Sequence, residues 1–114
     1  FGMIAYGLKL YSTNSELFEE ASQAIAPEGF QYLEITYFPG TADGLLRFQK
    51  ERIPVILHSL TAAQGLNLAD SRTKCSPYIQ ELLDVAAALS VDHVVIHPDY
   101  GEESAFLRFL DRHQ

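Results

Sequence analysis

The sequence predicts an α/β fold in which four consecutive β-α units form a parallel sheet. Two apolar runs support this prediction, because Val55 to His58 and Val94 to His97 both read Val-x-x-His and both lead into a turn. Continuous runs of branched apolar residues are typical of parallel strands that helices cover on both faces. Between these runs, apolar residues recur at helical spacing. Regular alternation of strand and helix indicates crossover connections and a parallel sheet.

The first two strands are predicted in the amino-terminal third of the chain. Ile4 to Leu10 forms the first strand, and Thr13 with Glu16 has the capping-box spacing that begins a helix. Pro27 to Gly29 ends that helix, and Phe30 to Thr36 forms the second strand. The apolar face of the helix is predicted to carry Leu17, Phe18, Ala21, Ala24 and Ile25.

A short helix from Asp43 to Arg52 follows, and Pro54 opens the third strand, where a missing backbone donor is tolerated. The loop from Leu60 to Asp70 leads into the longest helix, Ser71 to Ser90. The short helix presents Leu45, Leu46 and Phe48, and the long helix presents Ile79, Leu82, Leu83, Ala86 and Leu89. The fourth strand, His93 to His97, precedes a last helix that begins at about residue 102.

Four such units in 114 residues match half of a (β/α)8 barrel, since a complete barrel takes about 250 residues. The alternative is a small open doubly wound sheet. A single domain is expected over residues 3–114. Met3 is typical of a natural start, so residues 1–2 are interpreted as a remnant of cloning.

The composition narrows the class of protein. The net charge of −7 disfavours a broad nucleic-acid footprint. No apolar run approaches the roughly 18 residues of a membrane span, so a cytoplasmic location without membrane association is expected. The single cysteine, Cys75, cannot form an internal disulfide.

His58 and His97 each stand at the carboxyl end of a predicted strand. Ligands bind at that end of parallel α/β sheets, and neutral imidazole is a good ligand for divalent metals. Adjacent strands lie about 4.8 Å apart, so the two histidines could share one ion. The alternative is that each histidine is a structural residue hydrogen-bonded to a backbone carbonyl.

Glu34 lies near the carboxyl end of the second strand and is the candidate catalytic carboxylate, although an ion-paired or solvated acid is an equal alternative. Asp99 and Tyr100 follow His97 and are candidate substrate-binding residues, or else parts of an ordinary turn. Asn67, which precedes the long helix, is a further candidate substrate-binding residue. The sequence lacks a dinucleotide fingerprint, a phosphate-binding loop and a Gly-x-Ser-x-Gly elbow.

The strand ending at His58, the Asn67-Leu68-Ala69 loop, the long helix and the segment from Val94 to Pro98 together resemble the xylose isomerase-like TIM-barrel superfamily. The resemblance is clearest over residues 53–101. This group includes sugar isomerases and epimerases as well as endonuclease IV-type apurinic endonucleases. It implies that His58 and His97 bind a divalent metal, Zn, Mn or Mg, with the remaining ligands supplied by later strands.

The strand around Glu34 is more similar to the isomerase and epimerase members. The endonuclease branch usually has a first-strand Gly-x-His, where this chain reads Gly7-Leu8-Lys9, and His-Pro-Gly after the fourth strand, where Asp99 and Tyr100 intervene.

We therefore expect the amino-terminal half of a metal-dependent enzyme that acts on a sugar or sugar phosphate. In that mechanism the metal polarises a carbonyl or hydroxyl while Glu34 moves a proton. One alternative is metal-dependent cleavage of abasic DNA. The other is an inactive assembly unit that pairs with a second copy or with the missing carboxyl-terminal half.

Overall fold

A computed structural model describes residues 4–61, 64 and 76–96 of the chain. One parallel sheet contains four strands in the order β1-β2-β3-β4. These strands are β1 (Gly7–Tyr11), β2 (Tyr32–Thr36), β3 (Val55–His58) and β4 (Val94–Val95). A 3-10 turn, Ser15–Leu17, leads into α1 (Phe18–Gln23), and α2 (Ala42–Lys50) and α3 (Ser76–Ala88) complete the described helices. The α/β prediction, a parallel sheet with helices between its strands, is confirmed for this part of the chain.

Several expectations fall on other residues. Most of the loop from Leu60 to Asp70, the first turns of the long helix, Cys75 and the last helix lie outside the described residues. Within the described part, no helix is long and apolar enough to cross a bilayer.

The strand register sorts side chains onto two faces of the sheet. Leu10, Ile35, Leu57 and Val94 form one row across all four strands. Successive side chains on a strand point to opposite faces, so the residues before and after this row face the other way. Leu10, Ile35 and Leu57 are buried in the core.

All three described helices pack on that same face of the sheet. A single core cluster joins the buried strand residues to Phe18 and Ala21 of α1, to Leu45 and Phe48 of α2, to Ile79, Leu82, Val85 and Ala86 of α3, and to Leu89 directly after α3. The rings of Phe18 and Phe48 meet edge to face, with centroids 5.1 Å apart, and so connect α1 to α2. Among the described residues, the helices therefore cover one face of the sheet.

The predicted capping box at Thr13 does not begin α1. Asn14 precedes the 3-10 turn and makes no side-chain cap. Its Oδ1 instead accepts a hydrogen bond of 2.9 Å from the backbone N–H of Tyr11, which closes the turn after β1. At the other end, α1 stops at Gln23 and Phe30 forms an isolated bridge with Ile25, so β2 begins two residues later than predicted.

Helices α2 and α3 end in the same way. Arg52 and Ser90 adopt left-handed backbone conformations, with φ of 59° and 56°. The N–H group of the next residue then reaches back into the last turn, from Ile53 to the Phe48 carbonyl at 2.9 Å and from Val91 to the Ala86 carbonyl at 2.8 Å. This arrangement satisfies carbonyls at the helix end and turns the chain directly into the following strand.

Three leucines expected in the core are exposed at their helix edges. Leu17, Leu46 and Leu83 are 40%, 39% and 37% exposed, whereas Val85, absent from the predicted stripe, is buried. In α3 the buried side chains follow one face, and at about 100° per residue Leu83 falls beside that face.

The neighbouring leucines of α2 provide a matched test of this packing. Leu45 is fully buried and Leu46 is 39% exposed. We expect Leu45→Ala to reduce the free energy of unfolding by about 2 to 5 kcal/mol, because it removes buried methyl groups and leaves a cavity. Leu46→Ala is expected to cost about 1 kcal/mol or less. Urea unfolding followed by circular dichroism measures both, and similar losses for the two variants would contradict the described orientation of α2.

Candidate functional site

The face of the sheet opposite the helices carries the ionisable and polar side chains of the candidate site. Lys9 and Glu34 are register partners on β1 and β2, and Thr36 and His58 are register partners on β2 and β3. The two-residue period of the strands places all four on this one face. We call it the open face, because the described helices pack on the other side.

Glu34 and His58 form an ion pair across the open face. Oε1 of Glu34 lies 2.5 Å from Nε2 of His58, and the two side chains are 29% and 16% exposed. This contact is an ion pair when the His58 imidazole is protonated. It places an imidazole and a carboxylate side by side on the open face.

A cavity of about 310 Å³ opens at the carboxyl ends of β1, β2 and β3. The ends of parallel strands are the usual place for a ligand in α/β proteins. Side chains with polar or ionisable groups line the cavity: Lys9, Tyr11, Thr36, His58, Ser59, Thr61 and Gln64.

A separate network holds the loops that follow β2 and β3. Tyr37, fully buried, donates its hydroxyl proton to Oε2 of Glu81 in α3, and the same oxygen accepts the N–H of Gly40 at 3.0 Å. Tyr78 donates to the carbonyl of Tyr37 at 2.7 Å and accepts the N–H of Leu60 at 3.1 Å. Two residues of α3 therefore hold the chain at both strand ends.

This network changes the acidity of its members. Burial, together with the hydrogen bond to the Glu81 carboxylate, raises the pKa of Tyr37 far above its ordinary value. Burial also raises the pKa of Tyr78 to about 12. The hydrogen bonds from Tyr37 and from the Gly40 N–H lower the pKa of Glu81. At neutral pH the network therefore contains two neutral phenols and one carboxylate.

A smaller cluster ties the loop after β1 to the loop after β2. Ser12 is buried, and its Oγ accepts the backbone N–H of Phe38 at 2.7 Å. Thr41 Oγ1 lies within hydrogen-bond distance of both Ser12 Oγ and the Phe38 carbonyl, at 2.6 Å in each case. Together the two clusters anchor the loops that follow the first three strands.

Of the residues predicted for the site, the structure brings Glu34 and His58 together. His97, the second predicted metal ligand, and the predicted substrate-binding residues Asn67, Asp99 and Tyr100 lie outside the described residues. Within residues 4–61, 64 and 76–96, no group of three or more His, Cys, Asp or Glu side chains is positioned to hold a metal ion.

Sequence reasoning did not identify Lys9 as a site residue. The signal was present in the alternation of Leu8-Lys9-Leu10-Tyr11 and of Tyr32-Leu33-Glu34-Ile35-Thr36, where the apolar residues occupy one face and the polar or amphipathic ones the other. The register pairs Lys9 with Glu34 because the two patterns run in phase. Thr61 and Gln64 belong to a loop with no such periodicity.

Comparison of the chain with protein-family models, with curated proteins and with solved structures finds no match. The resemblance to xylose isomerase-like barrels therefore stays a prediction, and the geometry of the open face carries the functional argument.

The network around Glu81 predicts a pH-dependent stability. A carboxyl group with a lowered pKa in the folded state stabilises the fold above its unfolded pKa, and this contribution is lost as the pH falls through the folded pKa. We expect Tyr37→Phe to reduce the free energy of unfolding by about 1 to 2 kcal/mol at pH 7, because it removes a hydrogen bond to a carboxylate. The loss should shrink as the pH falls through the lowered pKa of Glu81 in the folded protein, because protonation removes the carboxylate that accepts this hydrogen bond.

Tyr6→Phe is the matched control, because Tyr6 is 60% exposed. Urea unfolding at pH 3, 5 and 7 checks the comparison. A Tyr37→Phe deficit that is equal at all three pH values would contradict the assigned role of Glu81.

Proposed function

We propose that this chain is the (β/α)4 half of a barrel whose complete form is a divalent-metal-dependent enzyme acting on a sugar or sugar phosphate as an isomerase or epimerase. The observation that carries the proposal is the Glu34–His58 pair, at 2.5 Å, beside a polar cavity at the carboxyl ends of parallel strands. The resemblance to xylose isomerase-like enzymes is consistent with it.

The topology supports the half-barrel part of the proposal. The strands follow one another in chain order, and the described helices pack on one face of the sheet. Barrels have both properties, whereas doubly wound sheets reverse their strand order and carry helices on both faces. In a barrel the open face, with Lys9, Glu34 and His58, would line the interior near the ligand-binding rim.

The donor types of the pair suit a divalent metal. An imidazole nitrogen and a carboxylate oxygen are common ligands of zinc and manganese, and magnesium prefers carboxylate. His58 and His97 would supply two of the ligands, and Glu34 would keep its carboxylate for proton transfer. A bound ion would supply Lewis-acid polarisation of a substrate carbonyl or hydroxyl.

The residues of the chain would perform the proton transfer. The Glu34 carboxylate would take a proton from the carbon beside a sugar carbonyl and return it to the neighbouring carbon. In the metal-free chain, His58 Nε2 lies 2.5 Å from that carboxylate and would orient it. Asn67, Asp99 and Tyr100 remain the proposed substrate-binding residues, and a cytoplasmic location remains part of the proposal.

The half-barrel proposal also implies a partner for the open face. Tyr11 is 43% exposed there, and Ile56 and Val95 are only partly buried. The carboxyl-terminal half of the barrel, or a second copy of the chain, would cover these side chains and complete the site. By itself the chain is expected to have little catalytic activity.

Zinc binding to the chain tests the proposed function. We expect calorimetry to detect uptake by the wild-type protein, and His58→Ala and His97→Ala each to weaken it at least tenfold, or about 1.4 kcal/mol, because each removes a ligand. His93→Ala is the matched control, since exposed His93 precedes β4 at the opposite end of the sheet.

The mass in solution, recorded on the same samples by light scattering, shows whether the chain pairs with a second copy. A well-folded protein that takes up no zinc, or His58→Ala with unchanged affinity, would contradict the proposed site.

A further inference from the structure

We infer that the cavity at the ends of β1, β2 and β3 binds an anionic monosaccharide, with its phosphate or carboxylate group on the ammonium of Lys9. This inference rests on the proposed function and specifies the substrate class of that site. It arises from the juxtaposition of one lysine, several hydroxyl and amide groups, and the Glu34–His58 pair on a single face of the sheet.

Lys9 is the cationic side chain whose charge is available in this cavity. It is exposed, it lines the cavity, and it forms no ion pair with any described carboxylate. The nearest candidate is Glu34, its register partner, but the Glu34 carboxylate is engaged by His58 at 2.5 Å. An ammonium group at the edge of a cavity without a carboxylate partner favours an anionic ligand.

The net negative charge of the whole chain means that any attraction of an anion must come from local positive charge. The sequence has 15 acidic and 8 basic residues and a net charge of −7, which opposes the approach of an anion. The described residues that line the cavity include Lys9 and His58 but no Asp or Glu. Attraction of an anion would therefore be local, and its strength should fall with added salt.

The other lining groups suit a polyhydroxylated molecule. Thr61 donates to Gln64 Oε1 from its N–H at 3.0 Å and from its hydroxyl at 3.4 Å, which engages the Gln64 carbonyl and leaves its amide N–H groups as donors. Ser59 is buried and donates to the Leu60 carbonyl at 3.0 Å, which holds the wall of the cavity in place. Donors and acceptors in alternation are what sugar hydroxyls require.

The size of the cavity limits the ligand. Its volume of about 310 Å³ is at the lower end of the range for small-molecule sites, roughly 300 to 1,000 Å³. One monosaccharide with its anionic group fits that volume. With the anion on Lys9, the sugar carbons extend across the open face towards Glu34 and His58.

The experiment is ligand titration by calorimetry in a chelating buffer at low ionic strength, so that no metal contributes. The probes are fructose 6-phosphate, gluconate and neutral fructose. We expect one or both anionic probes to bind at least tenfold more tightly than fructose, and added salt to weaken their binding. The phosphate and carboxylate probes distinguish the two sources of the anionic group.

Lys9→Met should weaken binding of the preferred anion about tenfold, whereas Lys9→Arg keeps the charge and should restore most of it. Lys50→Met is the matched control, because Lys50 is an exposed lysine on α2 that does not line the cavity. Circular dichroism of each variant confirms that it is folded. Equal affinity for fructose and the anions, or unchanged anion affinity in folded Lys9→Met, would overturn the inference.

The outcomes of the anion-binding experiment can be told apart from those of the zinc-binding experiment. A protein that binds the anion through Lys9 but takes up no zinc would refute the proposed metal chemistry and support the anion site. A protein that binds zinc through His58 but shows no Lys9-dependent anion binding would support the proposed function and refute this inference.

Discussion

The structure depends on one constraint, which is that all described helices pack on the same face of a parallel sheet. The row Leu10, Ile35, Leu57 and Val94 must then face the helices, because these are the apolar positions that register aligns. Side-chain alternation sends the intervening residues to the other face. The open face can therefore be polar without any cost to the core, and Lys9, Glu34 and His58 occupy it.

The loops that follow β2 and β3 depend on α3, which holds them by hydrogen bonds in addition to burying an apolar stripe. Through Tyr78 and Glu81 it holds the Tyr37 carbonyl, the Tyr37 hydroxyl, the Gly40 N–H and the Leu60 N–H. Gly40 has φ of 80°, which a residue with a side chain rarely adopts, and this conformation lets its N–H reach the Glu81 carboxylate. The strand ends next to the cavity are thus held by the helix that packs behind them.

The polar residues of the loop network around Glu81 and those of the open face differ in their electrostatic surroundings. In the loop network a carboxylate is satisfied by a phenol and a backbone N–H, and burial keeps the phenols neutral, so the group acts in stability. On the open face a carboxylate meets an imidazole, whose ordinary pKa lies near neutrality, and a lysine stands beside them without an ion pair among the described residues. The proposed function depends on the groups of the second kind.

The sequence by itself determined the order of strands and helices in the described part, because apolar periodicity and turn residues are local signals. It also singled out Glu34 and His58, since each is a polar residue near the end of an apolar strand. It misassigned Leu17, Leu46 and Leu83 to the core, because spacing alone does not specify how far each helix rotates against the sheet. The predicted capping box at Thr13 was wrong: a 3-10 turn preceded by Asn14 leads into α1, and the Asn14 side chain accepts the Tyr11 N–H instead of capping the helix.

Only the tertiary structure decided which face the helices cover, and with it the inclusion of Lys9 in the site. Register across strands depends on packing between segments that are distant in the chain, as does the hydrogen bond between Tyr37 and Glu81, which are 44 positions apart. A local pattern contains no information about such pairings. The sequence therefore indicates which polar residues are candidates for the site. The packing of the sheet and helices decides which of them lie together and with what geometry.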